Sequence, residues 1–198
     1  MIAMTETARD LENAAAEIER MANAVSLRDL KSSWESFLFR LERAWERTER
    51  EVQKQLGRDA QSWLSANSKL RRNDPLLRYL KQARNAEAHA LASSVDADRI
   101  ISIADRLGRP FSLNNVKVSV EGQALVIDLD SHDIGVDWTG RVEPSTPKLQ
   151  SIVNRGQKFD PPARHLGNVI HDQHPVAVAT HGLNFYKGAY ASLGSLIW

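Results

Sequence analysis

Apolar residues recur at intervals of three and four through the first half of the chain, which is the spacing of one helix face. The pattern predicts four helices, over residues 5–24, 26–57, 59–70 and 74–93. The second would be about 45 Å long at about 1.5 Å per residue, and Ser26 is placed to cap its first turn. A mainly helical fold is therefore expected.

The fourth predicted helix has the clearest start. Asp74 can cap its free amides, and Pro75 takes the first helical position, where a missing N–H costs nothing. Its apolar positions share one side of the helix and comprise Leu76, Leu77, Leu80, Ala83 and Leu91. The pattern predicts a helix that packs this side on the core.

The pattern changes after residue 95. Residues 96–107 fit a short helix or a strand equally well, and the pattern does not decide between them. Residues 116–120 and 124–129 alternate and are rich in β-branched side chains, which predicts a β-hairpin with its turn near Gly122. Residues 134–142 are a candidate third strand for this sheet.

The last part of the chain is expected to return to the helices. Residues 144–167 contain several prolines and are expected to form a long loop. Pro175 begins a last apolar helix that is expected to pack on the helical half. The predicted organisation is a helical bundle over residues 1–95, followed by a hairpin, a Pro-rich loop and a C-terminal helix over residues 96–198.

Composition narrows the class of protein. With 198 residues, 42% of them hydrophobic and 26% charged, the chain can bury a sizeable core and is typical of a globular protein. The net charge of +1 gives no overall attraction to nucleic acid, so any basic surface has to be local. The absence of cysteine excludes disulfides and thiolate metal sites. Neither a signal peptide nor a membrane-spanning run is visible, and we expect a cytoplasmic protein.

Arg84, Asn85 and His89 in the fourth predicted helix are the strongest candidates for chemistry. At about 100° per residue, Asn85 and His89 lie on nearly the same face, and the long Arg84 side chain can reach the imidazole. An arginine, an amide and a histidine together suit the chemistry of a phosphate group. A structural alternative has His89 hydrogen-bonded to a neighbouring helix and Arg84 paired with Glu87 or Asp74.

The string Arg84-Asn85-x-x-x-His89, late in a helical bundle, resembles the R-x(4–6)-H motif of the HEPN superfamily. Many members of that family are metal-independent endoribonucleases, often toxins or antiviral effectors, and others have lost activity. Their bundles dimerise and bring two motifs together. The resemblance covers residues 20–95 and implies a mainly α, HEPN-like antiparallel helical bundle, to which the second half adds a β-hairpin or three-stranded insertion and a C-terminal helix.

For this chain the resemblance implies a homodimer that cleaves RNA through attack of the 2′-hydroxyl, with no metal or other cofactor. His89 would transfer the proton, Arg84 would neutralise charge on the phosphorane oxygens, and Asn85 would orient the histidine or the phosphate. An antitoxin or another protein partner is left open, and no membrane partner is expected. Two other interpretations also stay open, a non-catalytic dimeric scaffold and an RNA-binding module that does not cleave.

A cluster of positive charges precedes the motif. Between residues 69 and 84, six basic residues accompany a single acid, Asp74, and five of them are candidates for binding the RNA backbone. These five are Lys69, Arg71, Arg72, Arg78 and Lys81. The alternative is that they are ordinary surface charges on two helices. His171 and His174, with Asp172 between them, match no established ligand spacing, so no metal site is predicted.

Overall fold

The structure is a computed structural model, and it describes residues 2–55, 57–89, 93–97, 99–105, 117–121, 124–128, 138–144 and 146–197. Within these residues the fold is mainly helical and also contains small antiparallel strand pairs. The chain divides into two compact units, one formed by Met1–Asp96 with Pro147–Trp198 and the other by Ala97–Thr146. None of the helices in the described residues combines the length and apolar character needed to cross a membrane.

The helices all belong to the first unit, as far as the described residues extend. They are α1 (Ile2–Ala22), α2 (Leu27–Gln55), α3 (Arg58–Asn73), α4 (Pro75–His89) and α5 (Pro175–Ile197). The helices predicted from apolar spacing are confirmed, as is the last helix predicted from Pro175. α4 is described to His89, residues 90–92 lie outside the described part of the chain, and Ser93, the predicted last residue of this helix, is not helical.

A buried carboxylate joins α1 to α2. Asp10 is 1% exposed, and it accepts hydrogen bonds from Arg43 and pairs with Arg47 at 2.8 Å. Its hydrogen bond with Arg43 raises the pKa of that guanidinium. Arg47 also reaches Glu6, so residues that precede Asp10 meet residues that follow Arg43. The two helices therefore run antiparallel.

The side of α4 that was predicted to be apolar is buried. Leu76, Leu77 and Ala83 are fully covered, and Leu80 is 2% exposed. This side packs against α2, α3 and α5. Gly182 lets α5 approach closely, because a Cβ at that position would meet the Leu80 side chain. The opposite side of α4 is thus left to carry the polar side chains of the candidate site.

The strands are short and pair two by two. In chain order they are β1 (Val95–Asp96), β2 (Arg99–Asp105), β3 (Lys117–Glu121), β4 (Ala124–Asp128), β5 (Trp138–Pro144), β6 (Lys148–Leu149), β7 (Ile152–Asn154), β8 (Gln157–Phe159), β9 (Arg164–His165) and β10 (Asn168–Val169). In the first unit β1 pairs with β6, β7 with β8 and β9 with β10, all antiparallel. In the second unit β2 pairs with β5 and β3 with β4.

The second unit confirms the predicted hairpin. β3 and β4 pair from Lys117 opposite Asp128 to Glu121 opposite Ala124, while the turn residues 122–123 lie outside the described residues. In the undecided segment 96–107, the described residues include the end of β1 and the whole of β2, so the strand alternative is the correct one there. The predicted third strand corresponds to β5, but within the described residues β5 pairs with β2 and not with the hairpin.

The loop predicted over residues 144–167 is corrected in part, because this stretch contains the β7–β8 hairpin and the first strand of the β9–β10 hairpin. Each hairpin turns through two residues with positive φ, Arg155 (49°) with Gly156 (77°) and Leu166 (47°) with Gly167 (86°). Such turns usually carry Asn or Asp before the glycine. Because arginine and leucine occupy that place here, neither hairpin was predicted from the sequence.

Candidate functional site

Asp74 caps the start of α4, and both of its carboxylate oxygens have hydrogen-bond partners. Its Oδ1 accepts the Leu77 amide hydrogen at 3.1 Å, which confirms the predicted cap. The same carboxylate, with its side chain 4% exposed, accepts the Leu166 amide hydrogen at 2.7 Å and lies 2.9 Å from Nδ1 of His165. Asp74 therefore ties the β9–β10 hairpin to α4 and does not pair with Arg84.

Glu87, the other acid considered as a partner for Arg84, also has a structural role. Its Oε1 accepts hydrogen bonds from the amide and the hydroxyl of Ser94, each at 2.8 Å. The Ser94 hydroxyl in turn accepts the indole hydrogen of Trp34 at 2.8 Å. Glu87 thus fixes the segment leading into β1 against α2. The two alternative ion pairs of Arg84 are absent from the described residues.

Arg84 is half-buried and has few partners. Its guanidinium carbon lies 5.2 Å from the ring centroid of Phe39, which is itself 51% exposed. Its Nη1 donates to Oδ1 of Asn85 at 3.3 Å. Its Nε is buried and has no hydrogen-bond partner among the described residues. A buried donor without a partner is unfavourable. Because no carboxylate among the described residues balances the charge of the guanidinium, that charge can attract an anion.

His89 is the last residue of α4 in the described chain. Its side chain lies outside the described residues, so the predicted approach of His89 to Arg84 stays a prediction. Asn85 is placed one residue after Arg84 and bonded to it. The structure therefore joins two of the three predicted site residues.

The five predicted RNA-backbone residues fall into three groups. Lys69 and Arg72 are exposed on α3. Arg78 is exposed on α4 and lies 5.0 Å from the ring centroid of Phe159, while Lys81 is half-buried. Arg71 is the exception, because it is buried. Four of the five thus keep at least part of their side chain in contact with solvent.

The surface role predicted for Arg71 is corrected by its environment. Its side chain is 6% exposed, and its Nη2 donates to Glu42 in an ion pair. Its Nε donates to the Tyr186 hydroxyl at 2.7 Å, and its guanidinium lies 4.5 Å from the Trp45 ring. Burial raises the pKa of Tyr186 to about 12. Arg71 therefore joins α2, α3 and α5 inside the unit.

A polar cleft of about 640 Å³ opens beside the motif. Lys81, Gln82 and Asn85 line it from α4. Asn154, Arg155 and Gln157 line it from the β7–β8 hairpin, together with Phe159. No carboxylate belongs to this set of described lining residues. Sequence reasoning missed the hairpin side, because nothing in the chain placed residues 154–157 next to α4.

His174, one of the two histidines considered for a metal site, has a structural role at the start of α5. Asp172 accepts the His174 amide hydrogen at 2.8 Å, and Nδ1 of His174 lies 3.3 Å from the Val176 amide at the start of α5. Over the described part of the chain, no group of three or more His, Cys, Asp or Glu residues could hold a metal ion. The contact between Asp74 and His165 was not predicted, because the two residues are 91 positions apart in the chain.

No protein-family model, curated protein or solved structure matches this chain. The functional argument therefore depends on the site itself and on the resemblance carried by Arg84, Asn85 and His89.

Proposed function

We propose that the protein is a metal-independent endoribonuclease of the HEPN type that acts on single-stranded RNA. The observation that supports it most directly is the state of Arg84. Its guanidinium is half-buried against Phe39, has no carboxylate partner among the described residues and keeps a buried Nε without a hydrogen bond. Such a cation is suited to a phosphate that supplies paired acceptor oxygens.

The proposed reaction uses the substrate's own hydroxyl. The RNA 2′-oxygen attacks the adjacent phosphorus, the bond from phosphorus to the 5′-oxygen breaks, and the products are a 2′,3′-cyclic phosphate and a free 5′-hydroxyl. His89 moves the proton, since an imidazole with a pKa near 6.5 is matched to neutral pH. Arg84 stabilises the charge that builds on the phosphorane oxygens, and Asn85 orients the guanidinium through its hydrogen bond.

The resemblance also supports a composite site in a homodimer. One His89 would then accept the proton of the 2′-hydroxyl while the partner's imidazole protonates the leaving 5′-oxygen. A base and an acid acting together give a rate that passes through a maximum with pH. A stable monomer in sedimentation at micromolar concentration would remove the basis for this arrangement.

The proposal is tested by incubating the purified protein with single-stranded RNA in the presence of EDTA. We expect cleavage of RNA and none of the matching DNA, which has no 2′-hydroxyl. His89→Ala should abolish cleavage with the helical circular dichroism signal unchanged. Arg58→Ala is the control, because Arg58 is an exposed arginine on α3 that is not among the predicted RNA-binding residues. If the wild-type protein leaves several RNAs intact, or loses activity with EDTA, the scaffold or RNA-binding interpretation replaces this one.

A further inference from the structure

We infer that the cleft between α4 and the β7–β8 hairpin binds one nucleotide of single-stranded RNA beside the bond to be cut. This inference names a subsite of the proposed function and rests on it. The cleft is continuous with the motif, because Asn85 both lines the cleft and accepts a hydrogen bond from Arg84. Its volume of about 640 Å³ falls within the range of small-molecule sites, about 300–1,000 Å³.

The charges of the cleft favour a phosphate. Lys81 approaches from α4 and Arg155 from the hairpin turn, and neither has an ion-pair partner among the described residues. The acids nearest in the chain are already engaged, since Glu87 binds Ser94 and Asp160 binds Lys158 and Ser151. Two unpaired cations in a cleft without a carboxylate attract an anion.

Arg155 lies in the turn of the β7–β8 hairpin, and its φ of 49° is in the left-handed region. The other hairpin turn has the same geometry at Leu166, so the angle is a property of the turn. Arg155 differs from Leu166 because the turn presents its charged side chain, exposed, at the cleft.

The amide side chains suit the edge of a base. Asn154 donates from Nδ2 to Oε1 of Gln82 at 2.7 Å, which joins the two walls of the cleft. This bond leaves the Gln82 nitrogen as a donor and the Asn154 oxygen as an acceptor. Unstacked RNA bases present donors and acceptors on their edges in the same way. An acidic peptide would also match the cations, so the test includes a poly-glutamate peptide as a competitor.

The binding test uses the full chain in a His89→Ala background with EDTA, so that a fluorescein-labelled single-stranded RNA stays intact. Arg155→Asn removes the charge and favours the left-handed turn, so the hairpin is retained. We expect this variant to weaken RNA binding about tenfold, the scale of one charge-assisted hydrogen bond. The slope of log affinity against log salt should become shallower by about 0.7, as for one lost phosphate contact on a single strand. Arg58→Ala, an exposed arginine outside the cleft, should change neither.

Base recognition is tested separately with homopolymers. Asn154→Ala should reduce the ratio between the strongest and weakest affinities for adenine, cytosine and uracil oligomers at least fivefold. The slope of log affinity against log salt should stay constant. If Asn154→Ala lowers the affinity for RNA in a salt-dependent manner but leaves the preference among the homopolymers unchanged, base recognition by these amides is contradicted.

The outcomes separate this inference from the proposed function. RNA bound in an Arg155-dependent manner but never cut by the wild-type protein supports the subsite and overturns the nuclease. RNA cut by the wild-type protein but bound equally well by Arg155→Asn and Arg58→Ala overturns the subsite and leaves the nuclease standing. Absence of RNA binding, or displacement of RNA by a poly-glutamate peptide with the same dependence on Arg155, also overturns the subsite.

Discussion

Arg71 and Arg84 lie on consecutive helices, and each guanidinium contacts an aromatic ring, but their surroundings differ. Arg71 is 5% exposed, lies over Trp45 and donates to both Glu42 and Tyr186. Arg84 is half-buried over Phe39, and among the described residues its hydrogen-bond partner is Asn85.

The difference separates a structural cation from an available one. Removing a charge from water is costly unless a counter-charge and hydrogen bonds compensate it. Arg71 receives that compensation inside the protein, so its charge does not attract a ligand. Arg84 has no counter-ion in the described residues, and a phosphate can supply one. The four predictions that follow test this contrast, from the largest effect to the smallest.

The largest effect is expected at the structural cation. Arg71→Ala should lower the free energy of unfolding by about 3 kcal/mol, because it leaves the Glu42 carboxylate, which is only 13% exposed, without its partner. Urea denaturation followed by circular dichroism measures the change. The double variant Arg71→Met with Glu42→Leu should recover much of it, since no lone charge remains. A loss below about 1 kcal/mol would place Arg71 in the same class as Arg84.

For Arg84, the available cation, we expect a large effect on activity and a small effect on stability. Arg84→Ala should slow RNA cleavage about a hundredfold, equivalent to about 2.7 kcal/mol of transition-state stabilisation. Its unfolding free energy should fall by less than about 1 kcal/mol, the scale of an exposed contact with an aromatic ring. Initial rates and urea denaturation on the same preparation give both numbers. Arg84→Lys should restore little activity, because an ammonium lacks paired donors. A loss of stability as large as that of Arg71→Ala would contradict the assignment of Arg84 as an available cation.

A smaller change makes Arg71 resemble Arg84. Tyr186→Phe removes the hydroxyl that accepts the hydrogen of Arg71 Nε at 2.7 Å and leaves that buried donor without a partner. The expected loss is about 2 kcal/mol, within the usual range for a buried unsatisfied group. The shift in urea midpoint at constant slope measures it. A loss below about 0.5 kcal/mol would contradict the structural assignment of Arg71.

The smallest effect is a dependence on alkaline pH. Burial raises the pKa of Tyr186 from about 10 to about 12, so the folded protein holds this proton more tightly than the unfolded chain. The associated stability is present in full below pH 10 and is lost as pH rises towards 12. At pH 11 the loss from this group should be about 1.4 kcal/mol. The difference between wild type and Tyr186→Phe isolates it from the other tyrosines. Arg84→Ala should leave the profile unchanged, since its aromatic neighbour is a phenylalanine. An unchanged difference across pH 9–11 would refute the raised pKa.

The helices were predictable because their signals are local. The cap at Asp74, the proline at 75 and the apolar spacing of Leu76, Leu77 and Leu80 all act within one helix. The hairpin of β3 and β4 was predictable for the same reason, through alternation on both sides of a glycine. The partner of β5 was not, because β2 lies more than thirty residues away in the chain and alternation does not specify which strands pair.

The candidate site was predictable in part. The positions of Arg84 and Asn85 on one helix follow from sequence spacing, and the structure joins them through a hydrogen bond. The difference between Arg71 and its neighbour Arg72 does not follow, since both stand in one basic run and only one meets Glu42 and Tyr186. Residues 154–157 gave no sign of lining the same cleft as α4.

The sequence by itself determined where helices begin, which of their sides is apolar and which residues are charged, because each of these depends on neighbours within a few positions. Tertiary structure alone decided which charges are neutralised. Asp74 engages His165 across 91 positions and Arg71 engages Tyr186 across 115, and no local rule foresees either contact. Whether a charge is available to a ligand depends on its desolvation and its partners, and both are properties of the packed chain.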